Sequence, residues 1–256
     1  MLEAVGVTKR YGDLTALDDI NLRIEAGSVT ALIGPSGCGK STLLRAFIGL
    51  IEPDGGRVTL DGRELFTGDQ REVRADRRRF GYVIQDGGLF PHLTARQNAA
   101  LPAIGSALTN PEVNDRIDSL AQTVHLNAKM LAKTPGQLSG GQRQRVALLR
   151  ALVLDPDIML LDEPLGALDP VIRTELQSEL LELFRRLEKT VVIVTHDLAE
   201  AAYFSQDIVL MQQGRIAERA SLQQLAQSPE GTFARAFTTA QTSRVQSLLN
   251  PDGGTS

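Results

Sequence analysis

A chain of 256 residues with 42% hydrophobic residues and a net charge of −4 has ordinary soluble globular composition, enough for one large domain carrying an insertion. The slight acidity argues against a nucleic-acid partner, and a single cysteine, Cys38, excludes an internal disulfide. No apolar run approaches the roughly 18 residues of a membrane span and the N-terminus lacks a secretory pattern, so a cytosolic chain is expected, reaching any membrane through a partner subunit.

Residues 2–7, 20–24 and 29–33 read as short strands separated by Gly and Asp turns. The third is apolar almost throughout, as a strand buried on both faces is, and it runs through Gly34 into a helical pattern over 41–50. Pro53-Asp54-Gly55-Gly56 marks a turn, residues 57–60 with Asp61-Gly62 a hairpin, and residues 80–84 a strand ending at Gln85. Helical patterns follow over 94–103, 111–124 and 142–154, which predicts a helical insertion between strands of a nucleotide-binding core. Strands return at 158–161 and 191–195 with a helix over 170–187 between them, an order that implies a right-handed parallel crossover. Residues 208–211 and 215–217 form a terminal hairpin, and disorder is expected after Asn250.

Three segments carry chemistry. Gly34-Pro35-Ser36-Gly37-Cys38-Gly39-Lys40-Ser41, followed by Thr42, satisfies G-x-x-x-x-G-K-[ST] between a strand and a helix, the context a phosphate loop requires. Its glycines let backbone N–H groups converge on phosphates at a helix N-terminus, where the dipole favours anions. Lys40 is placed to reach the β- and γ-phosphates, and the Ser41 hydroxyl to ligate Mg²⁺. The apolar run Ile158-Met159-Leu160-Leu161 ends in Asp162-Glu163, a pair of acids where ligands bind in parallel sheets. Asp162 suits Mg²⁺ and Glu163 suits orientation or deprotonation of an attacking water. Leu138-Ser139-Gly140-Gly141-Gln142 opens a helix 98 residues beyond Lys40. A capping box accounts for Ser139 and Gln142. It does not account for Gly140 and Gly141, because glycine costs up to about 1 kcal/mol against alanine within a helix. A phosphate approaching the backbone closely would account for them.

With these motifs in order, the chain resembles the ATP-binding subunit of ATP-binding cassette (ABC) transporters over residues 1–235. The resemblance implies an α/β P-loop NTPase fold with a RecA-like core, an antiparallel β subdomain, a helical subdomain at about 94–155 and a C-terminal tail over 236–256. It implies that Ser139, Gly140, Gly141 and Gln142 close over the γ-phosphate of ATP held by the P-loop of a second copy, giving a dimer with two composite sites. Tyr11 matches the aromatic that stacks on adenine, and Gln85 the residue reaching Mg²⁺ and the attacking water. Ala167-Leu168-Asp169 matches the D-loop that communicates across the dimer, and His196 the switch histidine on the γ-phosphate. The implied catalytic set is Glu163, His196, Lys40 and Gln85, with Ser41, Gln85 and Asp162 around Mg²⁺.

The same resemblance implies integral permease subunits as partners, an indirect solute-binding protein, no nucleic acid, and a peripheral position on the cytoplasmic face of the cell membrane. Gln85 to His92 enters the region that receives a coupling helix of the membrane subunit, with Leu89-Phe90-Pro91 as its apolar part; local core packing accounts for them equally well. Tyr82-Val83-Ile84-Gln85, Gly88-Leu89-Phe90-Pro91-His92 and Gly166-Ala167-Leu168-Asp169-Pro170-Val171 resemble the quaternary-amine importer branch, for glycine betaine or choline. Importers of amino acids or other small solutes share much of these segments, and an exporter shares the catalytic residues. No room is expected for the C-terminal regulatory domains of some osmoprotectant ATPases. Among non-transport relatives, the DNA-repair and chromosome-organising ATPases insert long coiled coils, for which 98 residues leave no space, and translation factors usually carry two cassettes. Arg77-Arg78-Arg79 reads as a solvated face. Cys38, at a helix N-terminus that favours a thiolate, is expected either to be inert or to block hydrolysis when alkylated.

Overall fold

Alternating apolar and polar residues build the first sheet of the computed structural model, which describes residues 1–249 apart from Asp86 and Ala167, with side chains as far as Thr242. The disorder expected after Asn250 lies outside the described residues. β1 (Leu2–Tyr11) pairs antiparallel with β2 (Leu14–Ile24), and Leu2, Ala4, Val7, Leu17, Ile20, Leu22 and Ile24 face inward. Both strands are longer than the sequence predicts. Register shifts between Val7, Lys9 and Arg10 break the alternation that would have marked their outer ends.

β3 (Val29–Ile33) begins the second sheet and delivers the chain to α1 (Lys40–Phe47), which touches both β2 and the main sheet. β4 (Gly55–Leu60) and β5 (Arg63–Glu64) return to the first sheet, completing the order β2-β1-β4-β5. α2 (Gln70–Arg78) then precedes β6 (Phe80–Val83). No sequence pattern announces α2, because its one buried side chain is a carboxylate, Asp76; the Asp69–Glu72 capping box starts it. The arginine run at its end lies on the surface, as expected, and its side chains also make hydrogen bonds there. Arg77 Nη2 donates to the Gly49 carbonyl at 2.6 Å, Arg78 to the Gly105 carbonyl, and Arg79 Nε to Asp157 at 2.6 Å, so the run ties the end of α2 to three separate parts of the chain.

The helical insertion comprises α3 (Ala95–Ala100), α4 (Asn110–Thr123), α5 (Ala128–Leu131) and α6 (Gly140–Leu152), with α6 seated on β6. β7 (Ile158–Asp162), α7 (Pro170–Leu187) and β8 (Thr190–Val194) follow, and β7 and β8 pair in parallel. α8 (Leu198–Phe204), β9 (Asp207–Gln212), β10 (Arg215–Ala220), α9 (Leu222–Ala226) and α10 (Phe233–Leu249) complete the order, with α10 running across position 235.

The second sheet has the order β10-β9-β3-β8-β7-β6, parallel except for β10. Strand periodicity divides its side chains between two cores. Leu32, Leu160, Val192 and Val194 face α1 and the first sheet, while Ala31, Ile33, Leu161, Val191 and Ile193 face the helices on the other side. Sandwiched in this way, β7 and β8 are buried at every residue, which fixes the register of whatever stands at their carboxyl ends.

Candidate functional site

The carboxyl ends of four neighbouring parallel strands each contribute one part of the site. Across β3, β8, β7 and β6 these are the phosphate loop, His196, Asp162-Glu163 and Gln85.

After β3 the chain passes Gly34 (φ 146°) and Gly39 (φ 108°) before α1 begins at Lys40. A Cβ on Gly39 would lie 2.4 Å from the Ala16 carbonyl oxygen, so the loop is packed directly on β2. Its shape is held by the Cys38 N–H donating to Pro35 O at 3.2 Å and by the Gly214 N–H donating to Cys38 O at 3.0 Å. The buried Lys40 ammonium donates to the carbonyls of Gly34 at 2.8 Å and Pro35 at 3.0 Å. Gly39 carries no capping side chain, which leaves the first-turn N–H groups of α1, those of Lys40, Ser41 and Thr42, to an anion. Ser36 and Gly37 stand exposed on the outer rim, whereas Cys38 turns its thiol inward into the core cluster, 3.8 Å from Lys40 Nζ. Of the two expectations for Cys38, that burial favours the inert residue over an alkylation-sensitive thiol.

Asp162 is buried at the end of β7, accepting from Ser41 Oγ at 3.0 Å and from Tyr82 OH at 3.4 Å. Burial pushes its carboxyl above the usual range; the Ser41 bond opposes the shift and the neighbouring Glu163 adds to it. The same burial, together with the Asp162 charge, raises the Tyr82 hydroxyl. A buried, desolvated carboxylate beside a hydroxyl suits a hard divalent cation that keeps water and phosphate ligands, so Asp162 and Ser41 fit Mg²⁺. Among the described residues no cluster of three His, Cys, Asp or Glu side chains forms a self-sufficient metal cage. At pH 7, metal- and nucleotide-free Asp162→Asn should therefore melt above the parent chain. An acid raised in the fold costs nothing below its unfolded value of about 3.8, where both states are protonated, and costs stability as pH climbs through the folded value. The gain should vanish by about pH 3, and a variant that melts lower at pH 7 would contradict the reading.

Glu163 sits at φ 47°, a left-handed conformation that is strained for a side-chain-bearing residue, and its N–H donates to Val194 O at 3.0 Å. This turn aims the carboxylate across the strand ends. Its Oε2 lies 3.5 Å from Gln85 Nε2 and 3.4 Å from His196 Nδ1, so three candidates from three strands meet at one oxygen.

Tyr11 is half-exposed at the β1–β2 turn, with Lys9 Nζ 5.6 Å above its ring. Of the D-loop, Ala167 lies outside the described residues, and Asp169 caps α7 by accepting from the Ile172 N–H at 3.1 Å. Ser139 and Gln142 form the expected capping box, Ser139 Oγ accepting from Gln142 N at 3.2 Å and Gln142 Oε1 from Ser139 N at 3.1 Å. Their side-chain hydrogen bonds run to each other, and none reaches the phosphate loop among the described residues. Gly141 is buried, and a Cβ there would lie 2.9 Å from Ile172 Cγ2 on α7. Packing within the chain thus gives Gly141 a structural reason of its own, beside the ligand approach expected of both glycines. Gly140 is more open, its nearest neighbour being the movable Leu168 Cδ2 at 3.2 Å.

Three further residues shape the site without having been legible beforehand. Tyr82 holds Asp162, and its one signal was a hydroxyl within an otherwise apolar strand. Arg150, on α6, donates to the Gly87 and Gly88 carbonyls at 2.5 and 2.7 Å, tying that helix to the loop after Gln85. Gln241, on α10, donates to the His196 carbonyl at 3.0 Å; nothing local in the sequence signals it.

Residues 17–166 match the family described as ABC transporter. The chain is 44% identical over 231 residues to a probable sulfate/thiosulfate import ATP-binding protein, CysA, of Chlorella vulgaris, covering 90% of this chain and 95% of that one. It is 40% identical over 237 residues to the glycine betaine uptake system ATP-binding protein YehX of Escherichia coli, covering 93% and 76%. The solved dimeric structure of MJ0796, a bacterial ABC transporter cassette, superposes with a TM-score of 0.78 at 36% identity, over 86% of this chain and 98% of that one. The strand-end constellation, the cassette fold and these relatives agree, and the chain belongs to the ABC transporter family as an ATP-binding, ATP-hydrolysing cassette.

Proposed function

We propose that this chain is the ATPase subunit of an importer for a small solute, acting as a dimer on the cytoplasmic face of a membrane-embedded permease. The observation that carries the hydrolytic part is the meeting of Gln85 and His196 at the Glu163 carboxylate, next to the Asp162–Ser41 pair. Lys40 and the α1 N-terminus bind and orient the phosphates, and Tyr11 offers a face to the adenine. Glu163 takes the proton of the attacking water while Gln85 and His196 fix its carboxylate and the γ-phosphate. Ser41, Asp162 and Gln85 are the residues that would hold Mg²⁺, which when bound neutralises charge on the β- and γ-phosphates. Ser139, Gly140, Gly141 and Gln142 supply helix-start dipoles to the ATP of the second copy, a role in keeping with the dimeric MJ0796 cassette. Residues 1–235 make up this ATP-binding unit, with the helical part at 94–155 facing both the second copy and the permease.

The direction of transport rests on the relatives, whose names specify import or uptake. No helix among the described residues is long and apolar enough to cross a membrane, in keeping with separate permease subunits. The quaternary amine suggested by residues 82–92 and 166–171 has the glycine betaine relative on its side. The sulfate/thiosulfate relative aligns at comparable identity, 44% against 40%. The cassette never touches the solute, so the proposal extends to a small charged or dipolar solute delivered by a separate binding protein. ATPase assays on vesicles holding the cassette with its permease test this. Turnover should rise when binding protein loaded with one solute, sulfate or glycine betaine, is added. Stimulation by neither would overturn import of this solute class.

A further inference from the structure

β1 ends in Lys9-Arg10-Tyr11, and strand alternation places Lys9 and Tyr11 on one face with Arg10 on the other. β4 begins only at Gly55, opposite Thr8, so this last stretch of β1 has no strand beside it on that side. The Pro53-Asp54 turn takes the place of one. The Asp54 N–H donates to the Thr8 carbonyl at 2.8 Å, and the Arg10 N–H donates to Asp54 Oδ2 at 2.6 Å. Against β2 the register slips on either side of Lys9, an irregularity of the kind that re-aims side chains.

The Lys9 ammonium donates to Asp54 Oδ1 at 3.0 Å and stands over the Tyr11 ring, 5.6 Å from its centre. Only 17% of the Lys9 side chain is exposed, whereas Tyr11 stays half-exposed. An ion pair at a solvated turn contributes little to stability, so its main consequence falls on the ring. A cation within about 6 Å of an aromatic centre is attracted to the ring face and draws the ring's electrons toward itself. Tyr11 pairs with Leu14 of β2, and two residues further on the Ala16 carbonyl stands 2.4 Å from where a Cβ on Gly39 would lie. The ring and the phosphate loop therefore share one end of β2.

We propose that Lys9 is a positioning residue for the nucleotide base: its ammonium, held by Asp54, fixes and polarises one face of Tyr11 so that an electron-rich purine stacks on the other. Lys9 touches no part of the nucleotide and acts through the ring. The inference rests on the reading of Tyr11 as the aromatic that meets adenine.

The test compares ATP with inorganic tripolyphosphate, which carries the charges of the nucleotide tail and no base. Steady-state ATPase kinetics and equilibrium binding are measured on the full chain carrying Lys9→Met, Lys9→Arg, Asp54→Asn, Tyr11→Leu, and Lys9→Met together with Tyr11→Leu. Lys9→Met should raise KM and Kd for ATP about threefold with kcat held within about twofold, the size of a cation–ring contact at an exposed site. Inhibition by tripolyphosphate should stay parental, which also shows that the phosphate loop is folded. Lys9→Arg should recover the loss, Asp54→Asn should share it in part, and adding Lys9→Met to Tyr11→Leu should weaken ATP binding no further. Parental ATP affinity in Lys9→Met, an equal weakening of tripolyphosphate, or an undiminished effect in the Tyr11→Leu background would each overturn the role of Lys9. Parental ATP affinity in Tyr11→Leu would instead overturn the adenine reading, a result that no Lys9 variant can mimic.

Discussion

Glu163→Gln should bind ATP as well as the parent chain, turn over about 10³-fold more slowly, and accumulate as an ATP-bound dimer. The amide keeps the shape of the carboxylate, so the backbone turn at φ 47° and the neighbourhood of Gln85 and His196 survive. It cannot take a proton, which removes a general base of typical worth between about 10²- and 10⁴-fold. It also removes one of two adjacent negative charges at the end of β7, where Glu163 already pushes the Asp162 carboxyl up. Anionic phosphate should therefore be held at least as tightly, leaving the Ser139 helix start of the second copy closed over it. Single-turnover ATPase assays and size-exclusion chromatography with ATP check both halves. An ATP-loaded variant that runs only as monomer would remove the composite site.

Gly39→Ala should cost the fold about 2–5 kcal/mol, summing left-handed strain and overpacking, and weaken ATP binding by more than about tenfold. The residue lies at φ 108°, and the new methyl carbon would stand 2.4 Å from the Ala16 carbonyl and 3.2 Å from Leu17 Cδ2. Backbone cannot yield as a flexible side chain can. The loop would have to lift off β2, straining the bond from Gly214 to the Cys38 carbonyl and tilting the first turn of α1 away from its target. Thermal melting and nucleotide titration measure the two effects. Parental values in both would show a loop far looser than its packing implies.

Legibility in the sequence followed the physics of each element. β3, β7 and β8 were readable because strands covered on both faces become unbroken apolar runs, and the phosphate loop because its glycine spacing has few other uses. Strand-end placement of Asp162, Glu163, Gln85 and His196 came with those runs. α2 was hidden because Asp69 and Asp76, rather than an apolar stripe, start and anchor it. The structural reason for Gly141 was not readable, since close packing against Ile172 is a long-range contact with no local trace. The bond from Gln241 to His196 was invisible for the same reason, 45 residues separating its two ends.

That bond gives α10 an unexpected standing. A helix that lends no side chain to the strand-end cluster nonetheless ends one of its hydrogen bonds on the backbone of His196. Any displacement of this helix would be felt at the strand ends through that one carbonyl. A sensor module engaging α10 would thereby gain a handle on the His196 loop without altering any side chain in the cluster.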